Sequence, residues 1–259
     1  MAWWGKLIGG TVGFLVGGPL GALLGASFGH NFDGGTATRG GYQSLPGDQE
    51  RTQAAFFTAT FSIMGHLAKS DGKVTQQEID LANALMREMD LGADQRKLAQ
   101  TLFNQGKQPD FDFDAIVNQF KVECHRRTTL LRMFLEIQVQ AAFADNRLDP
   151  AENRLLIGLC QRLGFQQAEL DRIIDMVRGS NHAHSQGGQP DIADAYQILG
   201  VKPDTPIDDI RKAYRRLLSQ HHPDKLVSRG LPEEMIRLAN EKTHEIQSAW
   251  QRIKEARGS

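Results

Sequence analysis

The chain has 259 residues, more than a single core of ordinary size accommodates, so two folded units with connections are expected. Its 30 basic and 31 acidic side chains leave a formal charge of -1, which argues against a nucleic-acid partner bound through a global positive field. Its two cysteines, Cys124 and Cys160, cannot build a four-thiolate zinc site or a disulfide framework, and in apolar surroundings they are expected as buried thiols.

Residues 7 to 28 carry no charged side chain. As a helix rising about 1.5 Å per residue they reach roughly the ~30 Å of a bilayer's hydrocarbon, which predicts a single membrane span. The uncharged run is longer than the core of a cleaved signal peptide, so the span is expected to stay attached. Gly9, Gly13, Gly17, Gly21 and Gly25 recur every four residues and form one stripe along such a helix. Helices in lipid associate by close packing, so this stripe predicts a homodimer. Trp3 and Trp4 suit the headgroup level. Lys6 before the span and Arg39 after it give no charge bias, so orientation is not readable from the flanks.

Residues 31 to 49 and 179 to 190 are rich in Gly, Ser, Gln and Asn and are read as tethers with too little apolar surface for a core. Between them, residues 50 to 178 show helical periodicity throughout. Phe56, Phe57, Thr60, Ile63, Met64 and Leu67 share one face, and so do Ile79, Ala82, Leu85, Met86 and Met89. The fold class is therefore all-α. Residues 70 to 78 and 144 to 152 repeat one turn-and-helix pattern. In it Thr75 with Glu78, and Asp149 with Glu152, take the two places of a capping box, with Pro150 at N1. Asp71, Glu78, Asp145 and Glu152 also raise a metal-handling reading. The alternating oxygens and twelfth-position glutamate of a calcium loop are missing, however, so no metal site is expected. His66 and His125 have no partner at ligand spacing and are read as structural. The turns before capped helices resemble the TerB-like helical family, a resemblance that implies a fold rather than a chemistry.

From residue 191 the helices are sharply punctuated. A first helix over 192 to 199 stops at Gly200, which suits a left-handed cap. A second is expected to start with Thr205 as N-cap and Pro206 at N1. Its Ile207, Ile210, Tyr214, Leu217 and Leu218 form an apolar stripe, while Arg211, Lys212, Arg215 and Arg216 form a basic ridge. Pro223 disfavours helical geometry at His222, so His222, Pro223 and Asp224 stand at a rigid corner. A third helix from about Pro232 carries Met235, Ala239, Ile246, Ala249, Trp250 and Ile253 as its core stripe.

Residues 191 to 257 closely resemble the J domain of the DnaJ family, through Asp194-Ala195-Tyr196-Gln197-Ile198-Leu199-Gly200-Val201, Ile210-Arg211-Lys212-Ala213-Tyr214-Arg215-Arg216-Leu217 and the signature His222-Pro223-Asp224-Lys225. The resemblance implies that Arg211, Lys212, Arg215, Arg216 and Lys225 dock on an acidic face of a DnaK-type chaperone. It also implies that His222, Pro223 and Asp224 trigger that partner's ATP hydrolysis. Charge complementarity of this kind mainly steers encounter and weakens with salt. No Gly/Phe-rich segment or set of four CxxC repeats accompanies the module, which counts against broad substrate holding. The order of span, TerB-like helices and terminal J domain is similar to that of membrane-anchored DnaJ-like co-chaperones of the bacterial inner membrane. That similarity implies a short periplasmic N-terminus, cytoplasmic C-terminal domains and a link to a capsule-synthesis phosphorelay. The alternative is a membrane signalling scaffold with the central domain as its main interaction module. No catalytic constellation is apparent, so neither an enzyme nor a cofactor is expected.

Overall fold

The computed structural model describes residues 18–29, 48–70, 72, 76–89, 91–143, 147–185 and 190–258, and among these it contains helices and no strand. In chain order the helices are α1 (Pro19–Gly29), α2 (Asp48–Ala68), α3 (Gln76–Glu88), α4 (Ala93–Gly106), α5 (Phe113–Glu123), α6 (Thr128–Ala142), α7 (Pro150–Leu163) and α8 (Gln167–Ser185). There follow α9 (Ile192–Leu199), α10 (Ile207–His221), α11 (Pro223–Val227), a 3-10 turn (Glu233–Met235) and α12 (Ile236–Arg257).

Helix α2 is the axis of the central domain and is buried on every side from Thr52 to Gly65, not along one face as its periodicity suggests. Two of its hydroxyls tolerate this because Thr60 and Ser62 donate to the carbonyls of Phe56 and Thr58 at 2.7 and 2.8 Å, which satisfies polar groups that burial would otherwise penalise. Against it α4 crosses at backbone distance. A Cβ on Gly65 would lie 2.0 Å from the Phe103 carbonyl oxygen, and one on Gly106 would lie 1.8 Å from that of Ser62. Only glycine fits either position. Phe56 meets Phe120 and Phe134 edge-on, with ring centroids 5.9 and 6.0 Å away, and anchors α5 and α6 to the same core.

Both cysteines are buried thiols, and burial pushes Cys124 up to about 12. His66 lies near Phe111 and Phe113, with ring Nδ1 3.3 Å from the Gly106 carbonyl, and burial lowers its pKa. His125 is exposed, with no side-chain hydrogen bond among the described residues, so the structural reading holds for His66 alone. The Asp149–Glu152 capping box is formed with Pro150 at N1. Asp71 and Thr75 of the first copy, and Asp145 of the second, lie outside the described residues.

Of the expected span, only the part from Gly18 on is described, and Gly9, Gly13 and Gly17 lie outside it. Helix α1 contains Gly21 and Gly25 and rests on the central domain, with Leu20 and Leu24 buried and the Leu20 amide donating to Gln119 Oε1 at 2.7 Å. Among the described residues no helix is long and apolar enough to cross a membrane.

The expected tether over 179 to 190 is corrected by α8, which runs through it to Ser185. Several of its polar residues find partners within the protein. Ser180 donates to Glu245 at 2.9 Å, His182 sits 2.9 Å from Asp194, and Gly179 lets α9 approach closely enough that a Cβ would meet Gln197 and the Asp194 carbonyl at 3.0 and 3.1 Å. A helix this polar reads as a linker because its burial is made by ion pairs and a close backbone approach, which hydrophobic patterning does not register.

Two apolar cores divide the C-terminal module. The hairpin of α10 and α12 shares one core with α9, built from Tyr196, Leu199, Ile210, Leu217, Ile246 and Ile253 among others, with Tyr214 and Trp250 stacked 5.2 Å apart beside it. Leu226, Leu231, Met235 and Ala239 are fully buried in the other core, that of the central domain.

Candidate functional site

Helix α9 begins in a capping box between Asp191 and Asp194 and ends on Gly200 at φ 62°, as its punctuation requires. Helix α10 starts one residue later than expected. Pro206 is its N-cap, and the Thr205 hydroxyl accepts the Lys202 amide at 3.1 Å instead of capping the helix. Asp208 and Asp209 in the first turn oppose the dipole's positive end and also pair with the ridge. Arg211 reaches Asp208 at 3.2 Å and Lys212 reaches Asp209 at 2.8 Å, so the ridge delivers less net charge than its four cations suggest. Such exposed pairs are weak and exchange readily for a partner's carboxylates. Arg215 is exposed and has no partner among the described residues. Arg216 lies toward the central domain, where partial burial and then the like charges of Arg132 and Arg172 push its guanidinium below its ordinary value.

The corner follows from one residue. Pro223 forces His222 out of the helical region, to φ -61° and ψ 121°, which ends α10 at His221, and Pro223 then occupies the first position of α11. His222 and Asp224 are exposed, and among the described residues neither side chain has a hydrogen-bond partner. Lys225 is exposed but folds back, its Nζ donating to Ser219 Oγ at 2.7 Å. Arg211 and the corner lie at opposite ends of one helix, separated by roughly 16 Å at about 1.5 Å per residue.

The groups that hold the corner were not legible from the motifs. His221, immediately before it, is buried, with Nε2 2.7 Å from Glu136 Oε2 of α6 and Nδ1 2.9 Å from the Leu217 carbonyl. Both ring nitrogens face acceptors, an arrangement fully satisfied only by the doubly protonated ring. Burial alone would raise the Glu136 carboxyl, but the charge and hydrogen bond of His221, with Arg132 and Lys242 beyond, outweigh it and hold the group at about 2. Arg132 Nε completes the cluster, 2.9 Å from Glu136 Oε1. On the far side of the corner, the Gln49 and Gln53 amides of α2 donate to the carbonyls of Val227 and Leu231 at 3.4 and 3.5 Å. Arg229 bonds Thr129, and Gly230, at φ 96°, lies against Thr52. Beside the His221–Glu136 contact lies a cavity of about 190 Å³, lined also by Met133, Ile137, Val177, Leu238 and Lys242. Glu136 had one visible signal, as the only acid of α6, set with Arg132 in the otherwise apolar Leu-Leu-Arg-Met-Phe-Leu-Glu-Ile run.

Among the described residues one set of potential metal ligands converges, His182, Asp191 and Asp194, with ligand atoms within 4.8 Å of one another. Asp191 and Asp194 are engaged in the capping box and His182 in its bond to Asp194, which raises its pKa. Those bonds account for the cluster.

Three family models match the chain in series: the co-chaperone DjlA transmembrane domain over residues 1–39, the tellurite resistance protein TerB over 57–175 and the DnaJ domain over 194–257. Among its relatives, the co-chaperone protein DjlA of Shewanella oneidensis is 42% identical over 260 residues, covering 100% of this chain and 99% of its own length. Those of Salmonella typhimurium and Escherichia coli K12 are each 41% identical, over 271 and 273 residues, with the same coverage. No solved structure matches the chain. With identity sustained across all three segments and nearly the full length of each relative, the chain belongs to the DjlA family of co-chaperones.

Proposed function

We propose that this chain recruits a DnaK-type chaperone to the bacterial inner membrane and stimulates its ATPase, acting as a regulator and not as an enzyme. The observation that carries this reading is the pair His222 and Asp224, exposed and without a side-chain partner among the described residues, at a proline corner beside a helix whose Arg215 faces solvent. A side chain left without intramolecular work at a rigid position is available to another protein, and the adjoining cations supply long-range attraction to an acidic face. The first 30 residues serve as the anchor and residues 31 to 49 as its tether, with the N-terminus periplasmic and the two helical domains cytoplasmic, where DnaK-type chaperones work. Residues 50 to 178 and 191 to 259 are the two working units. A role in a capsule or envelope phosphorelay is part of the same proposal, supported only by the family resemblance.

The test is single-turnover ATP hydrolysis by a DnaK-type chaperone with the full chain in nanodiscs. The wild-type chain should accelerate hydrolysis, more strongly at low salt, and His222→Gln should return the rate to the partner's basal value. An inert wild-type chain would favour the scaffold reading instead. Dimerisation through Gly9, Gly13, Gly17, Gly21 and Gly25 is a separate part of the proposal, motivated by their four-residue spacing. Gly13→Leu with Gly17→Leu should lower self-association in a membrane reporter, and an undiminished signal removes the stripe from the account.

A further inference from the structure

We propose that the central domain is a scaffold that presets the His222-Pro223-Asp224 corner, with Glu136 as a positioning residue that acts through His221. This deepens, and rests on, the proposed stimulation of a DnaK-type ATPase.

The corner is suspended between two attachments to the same domain. Upstream, His221 is pinned at both ring nitrogens, by Leu217 within its own helix and by Glu136 across the domain boundary, while its carbonyl accepts the Thr243 hydroxyl at 3.2 Å. Downstream, Leu226 and Leu231 have no exposed surface and sit in the central core, with the Val227 and Leu231 carbonyls held by Gln49 and Gln53. His222, Asp224 and Lys225 between them face out. The scaffold grips the loop from behind and covers little of the docking face, since Arg211, Lys212, Arg215, His222, Asp224 and Lys225 all remain exposed. The contact is therefore suited to ordering the corner, and unsuited to shielding it.

Ordering before encounter has a definite consequence. A loop already in its binding geometry loses less conformational freedom when the partner arrives, so preorganisation strengthens binding without altering the chemistry that follows. The buried acid is the sensitive part of the grip. Removing Glu136 leaves the His221 ring with a donor and no acceptor in a buried setting, which favours release of the α10 terminus from the central domain. Replacing Glu136 and His221 together by apolar side chains removes the unsatisfied imidazole, while Arg132 keeps Glu169 as its partner.

The test uses the full chain in nanodiscs, titrated against a DnaK-type chaperone in single-turnover ATP hydrolysis. Glu136→Ala should raise the half-saturating concentration about tenfold, equal to ~1.4 kcal/mol, with the plateau rate unchanged. Amide hydrogen exchange at Leu226 and Leu231 should quicken in parallel. The double variant Glu136→Leu with His221→Leu should bring the half-saturating concentration back to within about twofold of wild type. If the alanine variant does not fold, the isosteric Glu136→Gln takes its place, with the same direction of change. An unchanged half-saturating concentration together with unchanged exchange overturns the proposal. So does a collapsed plateau like that expected of His222→Gln, since it would make Glu136 part of the trigger. A wild-type chain that fails to accelerate the partner removes the proposed function, while the exchange arm, which needs no partner, still decides whether Glu136 holds the corner.

Discussion

At one end of the C-terminal module Tyr196, Leu199 and Ile253 pack among themselves, and Arg257 ties the end of α12 to the Tyr196 hydroxyl and the Thr205 carbonyl at 3.0 and 2.9 Å. At the other end Leu226, Leu231, Met235 and Ala239 pack into a different domain. The first end has a shared apolar seam with polar closure of its loop, and it meets α8 through α9, at Gly179 and the His182–Asp194 bond. The second end would expose four apolar residues if separated from the central helices, and it is the end that carries the corner. The module thus packs one end in its own core and the other, the end with the corner, in the core of the central domain.

The change with the largest expected effect on this comparison is Leu231→Ala. Deleting a fully buried leucine side chain costs about 2 to 5 kcal/mol, depending on how far the site collapses. Because Leu231 lies in the central core, the loss should appear in urea unfolding of the central domain, although the residue belongs by sequence to the C-terminal module. A central-domain transition left at the wild-type midpoint would show that the corner end is independent, and the contrast between the two ends would fail.

How far the sequence carries this picture depends on which physical signal is asked for. The Asp191 and Gly200 boundaries of α9 were readable because capping chemistry is local, and so was the corner, which a single proline dictates. The start of α10 was misplaced by one residue because Thr205 and Pro206 can each precede a helix, and the choice is made by the Lys202 amide, which takes the threonine hydroxyl into a turn. Met235 and Ala239 were read correctly as buried but assigned to the wrong core. Periodicity reports that a face leaves water, and it is silent on what the face meets. The same limit hid Glu136 and His221. Each is visible as an oddity in its own helix, but their pairing across 85 residues of chain is a property of tertiary structure alone. The ridge cations were all legible, whereas the pairing that moderates them comes from Asp208 and Asp209, one turn upstream of Arg211 and Lys212.

A smaller effect sharpens the comparison through acid. Glu136 is held at about 2 against an ordinary 4.5, and Glu245, which meets Ser180 and Lys242 at the same junction, is also lowered: burial alone would raise it, but the charges and hydrogen bonds of Lys242 and Ser180, with His184, outweigh burial. A carboxyl whose folded value lies below its unfolded one stabilises the fold above the unfolded value, and that contribution drains away as pH falls toward the folded value. For Glu136 the loss therefore begins near pH 4.5 and is complete near 2, and it falls on the end with the corner. Protection factors for the Leu226 and Leu231 amides should drop as pH falls from 4.5 toward 2 while those of Ile198 and Leu199, in the module's own core, hold. Glu136→Gln should flatten this acid response, because the amide has no proton to take up in that range. If both ends lose protection together in the wild type, the two cores melt as one body, and the corner's attachment is no weaker than the hairpin's own.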